Sequence, residues 1–178
     1  MKKIVTATLL ALGAMSAAQA QYYGELAYLG TTLKESSENY KTKPNALRLI
    51  AGYNLMENLS VEGMVAFGTN SAKDKNDEGL NGNATKVNNM VGLYIKPHVN
   101  VSKDLTVFAR AGIARTALKG TQTEGSEPWK MKATKFSYGA GISYAVTPVV
   151  SINADYMHYF KKDGATLRGF TVGLGYKF

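Results

Sequence analysis

Six charged residues could do chemistry, because they lie inside segments whose other residues are mostly apolar or small. Three are acids and three are bases, namely Glu25, Arg48, Glu62, Lys96, Arg110 and Asp155. Paired carboxylates can act as general acid and base, and a row of charges can also line an ion path. Charges of balanced sign in a confined interior can instead pair with one another, because a buried charge without a partner is costly. We favour this third interpretation, since it requires no substrate.

The residue types that bind metals or act as nucleophiles give no further site. The chain has no cysteine and two histidines, His98 and His158, which are far apart and have no carboxylate cluster beside them. A protein metal site needs several such ligands at a suitable spacing. The sequence therefore predicts no metal and no cofactor.

The first twenty residues resemble an export signal. Lys2 and Lys3 precede an apolar run from Ile4 to about Met15, and small residues follow up to Ala20. These are the three parts of a secretory signal peptide, and the apolar run is short for a membrane span. We expect cleavage after Ala20, which leaves residues 21–178 as one exported domain without disulfides.

Alternation is the dominant pattern in the rest of the chain. Eighteen glycines and eleven tyrosines, against four prolines and one tryptophan, favour strands and tight turns. The terminal stretch from Phe170 to Phe178 places a large apolar residue at every second position. The same period predicts eight strands, near 22–31, 45–54, 59–69, 87–99, 105–116, 134–146, 149–160 and 168–178.

The connections between these strands alternate in length. Residues 54–58, 100–104 and 147–148 are short, whereas 32–44, 70–86, 117–133 and 161–167 are mostly long, polar and charged. Strands of about 10 to 13 residues with short turns on one side and long loops on the other are typical of outer-membrane barrels. The sequence thus predicts an all-β fold, an eight-stranded antiparallel up-and-down transmembrane β-barrel, whose last strand pairs with the first.

The composition of the two strand faces favours a membrane barrel over a soluble barrel or sandwich. One face is apolar and aromatic, and the other is small, polar and poor in charge, which suits a narrow lumen. Aromatic girdles mark the two interfaces of such barrels. We expect these aromatic residues near the strand ends, facing outward: Tyr53, Phe67, Phe136, Tyr144, Phe160, Phe170, Tyr176 and Phe178.

The same alternation turns the six charged residues toward the lumen, which in an eight-stranded barrel is only wide enough to be filled by side chains. We expect a packed ionic network of Glu25, Arg48, Glu62 and Arg110. Asp155 and Lys96 are expected nearer the periplasmic half.

Two segments carry a resemblance to a known group of proteins. The ending from Gly173 to Phe178 is similar to that of the OmpX/Ail and opacity-protein families, and residues 48–63 resemble the second hairpin of small porin-family barrels, of the OmpA-like transmembrane type. The resemblance implies a Gram-negative outer-membrane protein that is not an enzyme and whose surface loops bind host molecules or support envelope integrity. It also implies an assembly signal read by the barrel-assembly machinery, here Phe170, Val172, Leu174, Tyr176 and Phe178.

Two other functions remain open at this stage, a narrow porin-like channel for small solutes and a lipid A-modifying enzyme. Lipid A deacylases carry a His-x-Ser-Asn segment on a late strand. Here Tyr159, Phe160 and Lys161 follow His158, so the serine and the asparagine are missing. This departure argues against catalysis.

The net charge of +8 falls by two, to +6, once Lys2 and Lys3 are removed. Much of it lies in or beside the long loops, where it forms a basic rim of Lys41, Lys43, Lys119, Lys130, Lys132, Lys161, Lys162 and Arg168. Such a rim suits outer-membrane lipids and lipopolysaccharide phosphates, or a host or surface ligand. It also suits solvated loops without any partner. A nucleic-acid partner is not expected, because basic and aromatic residues are not interleaved on one face.

Overall fold

The computed structural model describes residues 21–35, 40–76, 79–121, 129–162 and 164–178. Ten strands are assigned in this part of the chain: β1 (Tyr22–Glu35), β2 (Tyr40–Thr42), β3 (Asn45–Met56), β4 (Leu59–Gly68), β5 (Ser71–Asn76), β6 (Gly79–Asn100), β7 (Leu105–Thr121), β8 (Trp129–Ala145), β9 (Val150–Lys162) and β10 (Ala165–Lys177). Within the described residues, no helix is long and apolar enough to cross a membrane.

Eight of these strands form a closed antiparallel ring in the order β1, β3, β4, β6, β7, β8, β9 and β10. The ring closes where β10 pairs with β1 along its whole length, from Tyr23 opposite Lys177 to Glu35 opposite Ala165. Closure leaves no unpaired edge in the ring. The prediction of an eight-stranded up-and-down barrel is confirmed.

The two remaining strands, β2 and β5, continue the walls of β3 and β4 beyond an interruption. Pro44 separates β2 from β3, and a proline has no N–H to donate to a ladder. At this point the side-chain oxygen of Asn70 accepts a hydrogen bond from the backbone N–H of Asn45, at 2.8 Å. Beyond the interruption β2 pairs with β1 and β5, and β5 pairs with β6.

The two ends of the barrel differ. At the end that we call the turn end, residues 57–58, 101–104 and 146–149 connect the strands, and Tyr22 and Lys177 lie beside these turns. The opposite end, the loop end, carries the other connections. The expectation of long loops over 32–44, 70–86, 117–133 and 161–167 is wrong for most of these residues, because the strands extend through them. The barrel therefore has an extension at its loop end.

In the band between the ends, outward side chains are apolar and exposed, as expected. Eight aromatic residues were predicted to face outward. Five of them are exposed, namely Phe67, Phe136, Tyr144, Phe170 and Tyr176. Tyr53 is half-buried. Phe178 is also half-buried, and its backbone N–H donates to the carbonyl of Tyr22 at 3.1 Å.

Phe160 is the exception, since only 1% of its surface is exposed. The cause is a β-bulge in β9. Phe160 lies opposite Leu167, but the next pair is His158 with Arg168, so Tyr159 is an extra residue without a partner in the register. An extra residue shifts the alternation by one position. Tyr159 and Phe160 are consequently both buried.

Candidate functional site

An ionic network fills the middle of the lumen. Arg110 on β7 is its centre, because this guanidinium contacts all three carboxylates. Its Nε donates to Glu62 Oε2 at 2.5 Å, its Nη1 to Asp155 Oδ2 at 2.6 Å, and its Nη2 to Glu25 Oε2 at 3.0 Å. The side chain is 1% exposed. All three acids are thereby tied to one cation.

Arg48 on β3 joins two of the same acids from another side. Its Nη1 donates to Asp155 Oδ1 at 2.9 Å, its Nη2 donates to Glu25 Oε1 at 2.5 Å, and Nη2 also contacts Asp155 Oδ2. Asn153 on β9 adds a hydrogen bond from Nδ2 to Glu25 Oε2, at 3.0 Å. These contacts connect β1, β3, β4, β7 and β9 across the lumen.

Lys96 on β6 closes the network toward the turn end. Its Nζ lies 3.1 Å from Glu62 Oε1 and 3.4 Å from the hydroxyl of Tyr23, which itself donates to Glu62 Oε1 at 2.6 Å. The same ammonium lies over two rings, 4.7 Å from the centroid of Tyr23 and 4.5 Å from that of Phe108. With Lys96 included, three acids face three bases, so the formal charge of the network is zero.

The structure therefore brings together all six charged residues named from the sequence. It differs from the expectation for Asp155, which was assigned to the periplasmic half but lies between the two arginines. Strands in a barrel are tilted and staggered, so the distance of a residue from its turn does not give its height. Lys96 does lie on the turn-end side of the network, next to a cavity described below.

Tyr23 and Asn153 belong to the network but were not identified from the sequence. Each lies two residues from a network acid on the same strand, Tyr23 before Glu25 and Asn153 before Asp155. Alternation alone turns both toward the lumen. The alternation therefore indicated both positions, but a search for charged residues on the lumen face passes over them because neither side chain is charged.

Apolar side chains fill the lumen between the network and the loop end. The buried cluster contains Leu29, Leu33, Met64, Val87, Met90, Leu118, Met157, Phe160 and Leu167, with Met131 partly buried against it. The hydroxyl of Tyr159, also in this cluster, lies near the Arg48 guanidinium but makes no hydrogen bond of standard geometry within the described residues. This packing closes the lumen on the loop-end side.

On the turn-end side the lumen is open. A cavity of ≈ 540 Å³ lies there, lined largely by hydroxyl and amide side chains and bounded on its inner side by Lys96. Ser60, Thr106, Ser143 and Ser151 are among its lining residues. The cavity is wide enough for water and small polar solutes, but it stops at the network.

The predicted basic rim lies on the outer wall of the loop-end extension. Exposed members are Lys41, Lys43, Lys119, Lys130, Lys132, Lys161 and Arg168, and Lys162 is half-buried. The residues of the predicted assembly signal lie on the outer face of β10 and directly after it, with Phe170, Val172, Leu174 and Tyr176 exposed and Phe178 half-buried. His158 also faces outward, and its ring packs against that of Tyr138 in a tilted arrangement with centroids 5.1 Å apart.

Comparison with known proteins agrees with this architecture. A family model described as "Outer membrane protein beta-barrel domain" matches residues 4–178. No curated protein sequence matches the chain.

Several solved structures share the fold. The attachment invasion locus protein Ail of Yersinia pestis, solved in complex with the heparin analogue sucrose octasulfate, is 19% identical, with 88% of this chain and 97% of that chain covered and a TM-score of 0.65. Neisserial surface protein A is 18% identical, with 89% and 97% covered and a TM-score of 0.69. OprG of Pseudomonas aeruginosa is 12% identical, with 91% and 98% covered and a TM-score of 0.60.

Proposed function

Since this chain belongs to the outer membrane protein beta-barrel domain family, we propose that it is a closed, non-enzymatic scaffold whose loop end binds anionic molecules at the cell surface. Such binding would serve envelope integrity or adhesion. The observation that carries the proposal is the blocked lumen, in which Arg110 joins Glu25, Glu62 and Asp155 at the centre. A barrel blocked at its centre acts through its outer surfaces, and in this architecture the long connections face outside the cell.

The basic rim supports the binding part of the proposal. Its exposed lysines lie at the loop end, where outer-leaflet phosphates or sulfated surface molecules would approach. The Ail barrel, which has the same fold, has been solved with a heparin analogue. A polyanion is therefore the class of ligand that we propose for this chain.

The experiment that tests closure is conductance of the refolded protein, residues 21–178, in a planar bilayer. Heat-modifiable gel mobility would first show that the barrel is folded and inserted. We expect no steady current from the wild type. Discrete channels that change in the Arg110→Ala variant would overturn closure.

A narrow channel is the second candidate, and the turn-end cavity of ≈ 540 Å³ favours it. For conduction, the ion pairs of Lys96 and Arg110 would have to separate around water. Channels in the wild type whose selectivity changes in Lys96→Met would support this candidate. A closed wild type removes it.

The enzyme alternative makes a separate prediction, namely that overproduction alters lipid A. We propose no catalytic residue, because His158 lies on the outer wall against Tyr138 and no serine follows it. Mass spectrometry of lipid A from overproducing cells should show an unchanged profile. A loss or gain of an acyl chain would contradict the proposal.

Export and assembly complete the proposal. We propose that residues 1–20, which lie outside the described residues, are a cleaved signal peptide, and that Phe170, Val172, Leu174, Tyr176 and Phe178 are recognised by the barrel-assembly machinery. Amino-terminal sequencing of the exported protein should begin at Gln21. Deletion of Phe178 should lower the amount of folded barrel in the membrane, and an unchanged amount would argue against the signal.

A further inference from the structure

Three lysines lie side by side on neighbouring strands of the extension. Lys86 on β6 is opposite Lys119 on β7, and Lys119 is opposite Lys130 on β8. All three side chains are exposed, and none takes part in an ion pair found in the described part of the chain. Like charges directly opposite each other destabilise a sheet. This row, which we call the lysine strip, would be relieved by an anion.

A groove lies below the lysine strip on the lipid-facing wall. It has a volume of ≈ 1110 Å³, its surface is almost entirely apolar, and most of its lining residues lie on β3, β4, β6 and β7. Ala51 and Gly63, which are opposite each other, form its shallow side. Leu93 and Ile113, which are 73% and 60% exposed, form its raised side. Its shape and chemistry fit an acyl chain.

The groove and the lysine strip are connected by further cations. Arg115 lies at the upper end of the groove, beside Thr134 and Phe136. It is four residues before Lys119 on the same face of β7, which is about 13 Å along a strand. Lys132 lies between these two levels on β8, opposite Ala117. Positive charge thus continues from the top of the groove into the lysine strip.

We propose that this wall is a docking site for lipid A, with an acyl chain in the groove and the phosphates on Arg115 and the lysine strip. Lipid A is the anionic lipid of the outer leaflet, and its phosphates lie directly above its acyl chains, as the cations lie above the groove. The inference rests on the proposed function, in which the loop end of the barrel faces outside the cell. It assigns the polyanion site to one wall of that end. A second copy of the chain fits less well, because a symmetric contact would bring two lysine strips together at the same height.

The test compares two double substitutions that remove equal charge. Lys119→Gln with Lys130→Gln removes two members of the lysine strip, whereas Lys34→Gln with Lys103→Gln removes two exposed lysines that belong to neither the lysine strip nor the basic rim: Lys34 on the other wall, opposite Thr166, and Lys103 at the turn end. A third variant, Gly63→Phe, fills the groove. A Cβ at Gly63 meets no atom within 4 Å, so the larger side chain is accommodated.

Each refolded variant is titrated in detergent with bis-phosphorylated lipid A and with its dephosphorylated form, and bound lipid is counted by native mass spectrometry. Gel mobility confirms folding. We expect the strip variant to bind bis-phosphorylated lipid A at least about tenfold more weakly than the wild type. The Lys34/Lys103 control variant should stay within about twofold of the wild type, and the dephosphorylated form should not distinguish the two double variants. Gly63→Phe should weaken the binding of both lipids.

The outcomes separate this inference from the proposed function. Equal weakening by the two double variants would show an effect of total charge alone and would overturn the assignment to this wall. Unchanged binding in Gly63→Phe would overturn the acyl-chain seat. A mass of two chains that disappears in Gly63→Phe would identify a second copy as the occupant. An absence of lipid A binding by a folded wild type that conducts no current would overturn the inference and leave closure intact.

Discussion

The membrane band and the loop-end extension of this barrel share their strands but have opposite polarity. In the band, outward residues such as Leu93 and Ile113 are apolar, and inward residues such as Arg110 and Glu62 are charged. In the extension, outward residues such as Lys119 are charged, and inward apolar residues such as Leu118 are buried. The same two-residue period therefore turns apolar residues toward lipid in the band and charged residues toward water in the extension. The height at which the polarity reverses marks the outer edge of the lipid.

The largest effect is expected from the charged interior of the band. Arg110→Ala leaves three carboxylates facing Arg48 and Lys96, with one net negative charge buried. Removing one partner of a buried ion pair typically costs about 3–5 kcal/mol. Urea unfolding of the refolded barrel in vesicles should show a loss of this size.

The matched control is Arg115→Ala, on the same strand but on the outer face. It should cost less than about 1 kcal/mol, as exposed charges do. If the two variants lose similar amounts of unfolding free energy, the ionic network contributes little to stability, and the inner and outer faces of β7 do not differ in their tolerance of charge removal.

The apolar interior of the extension should be the next most sensitive region. Leu118, only 1% exposed, packs in the buried cluster with Val87 and Leu167. Leu118→Ala is expected to cost about 2–5 kcal/mol, because it leaves a cavity in a packed core. The loss would be measured by urea unfolding, with Ala substitution of the outward, 51% exposed Leu26 as the control. A negligible loss at Leu118 would mean that the extension does not depend on a core of its own.

The difference between these regions also explains what the sequence could and could not predict. Eight strands and their two faces follow from alternation in the band, where a run such as Leu59–Gly68 is apolar on one side throughout. In the extension the outward lysines disguise the same alternation as a polar loop, although Leu33 and Leu118 are buried beneath them. The bulge at Tyr159 and the height of Asp155 depend on register and stagger between strands, which one strand's sequence does not contain. The groove at Gly63 also depends on the register between strands, because it forms where Gly63 lies opposite Ala51 of the neighbouring strand.

The outer wall itself offers a more direct test of where the lipid ends. Leu93 and Asn89 lie on the same strand, four residues apart, and both are exposed on the outer face. A lysine in the middle of the lipid band of a barrel costs about 2–4 kcal/mol, whereas near the interface it costs about 0–1 kcal/mol. We therefore expect Leu93→Lys to be strongly destabilising and Asn89→Lys to be nearly neutral in vesicle unfolding experiments. Equal costs at both positions would place the edge of the lipid elsewhere.

The smallest effect is expected at the boundary between the ionic network and the apolar section of the lumen. The Tyr159 hydroxyl is fully buried near the Arg48 guanidinium, but within the described residues neither this hydroxyl nor the Nε of Arg48 makes a hydrogen bond of standard geometry. Arg48 keeps its hydrogen bonds to Glu25 and Asp155 when this hydroxyl is removed, so Tyr159→Phe should change the free energy of unfolding by less than about 0.5 kcal/mol. Tyr23→Phe is the contrasting change. It removes the hydroxyl that donates to Glu62 Oε1 at 2.6 Å, while Arg110 and Lys96 remain, and it should cost about 1.5–3 kcal/mol, as hydrogen bonds to charged groups do. If Tyr159→Phe destabilises as much as Tyr23→Phe, the Tyr159 hydroxyl is bonded within the lumen, and the polar network extends further toward the loop end than these contacts indicate.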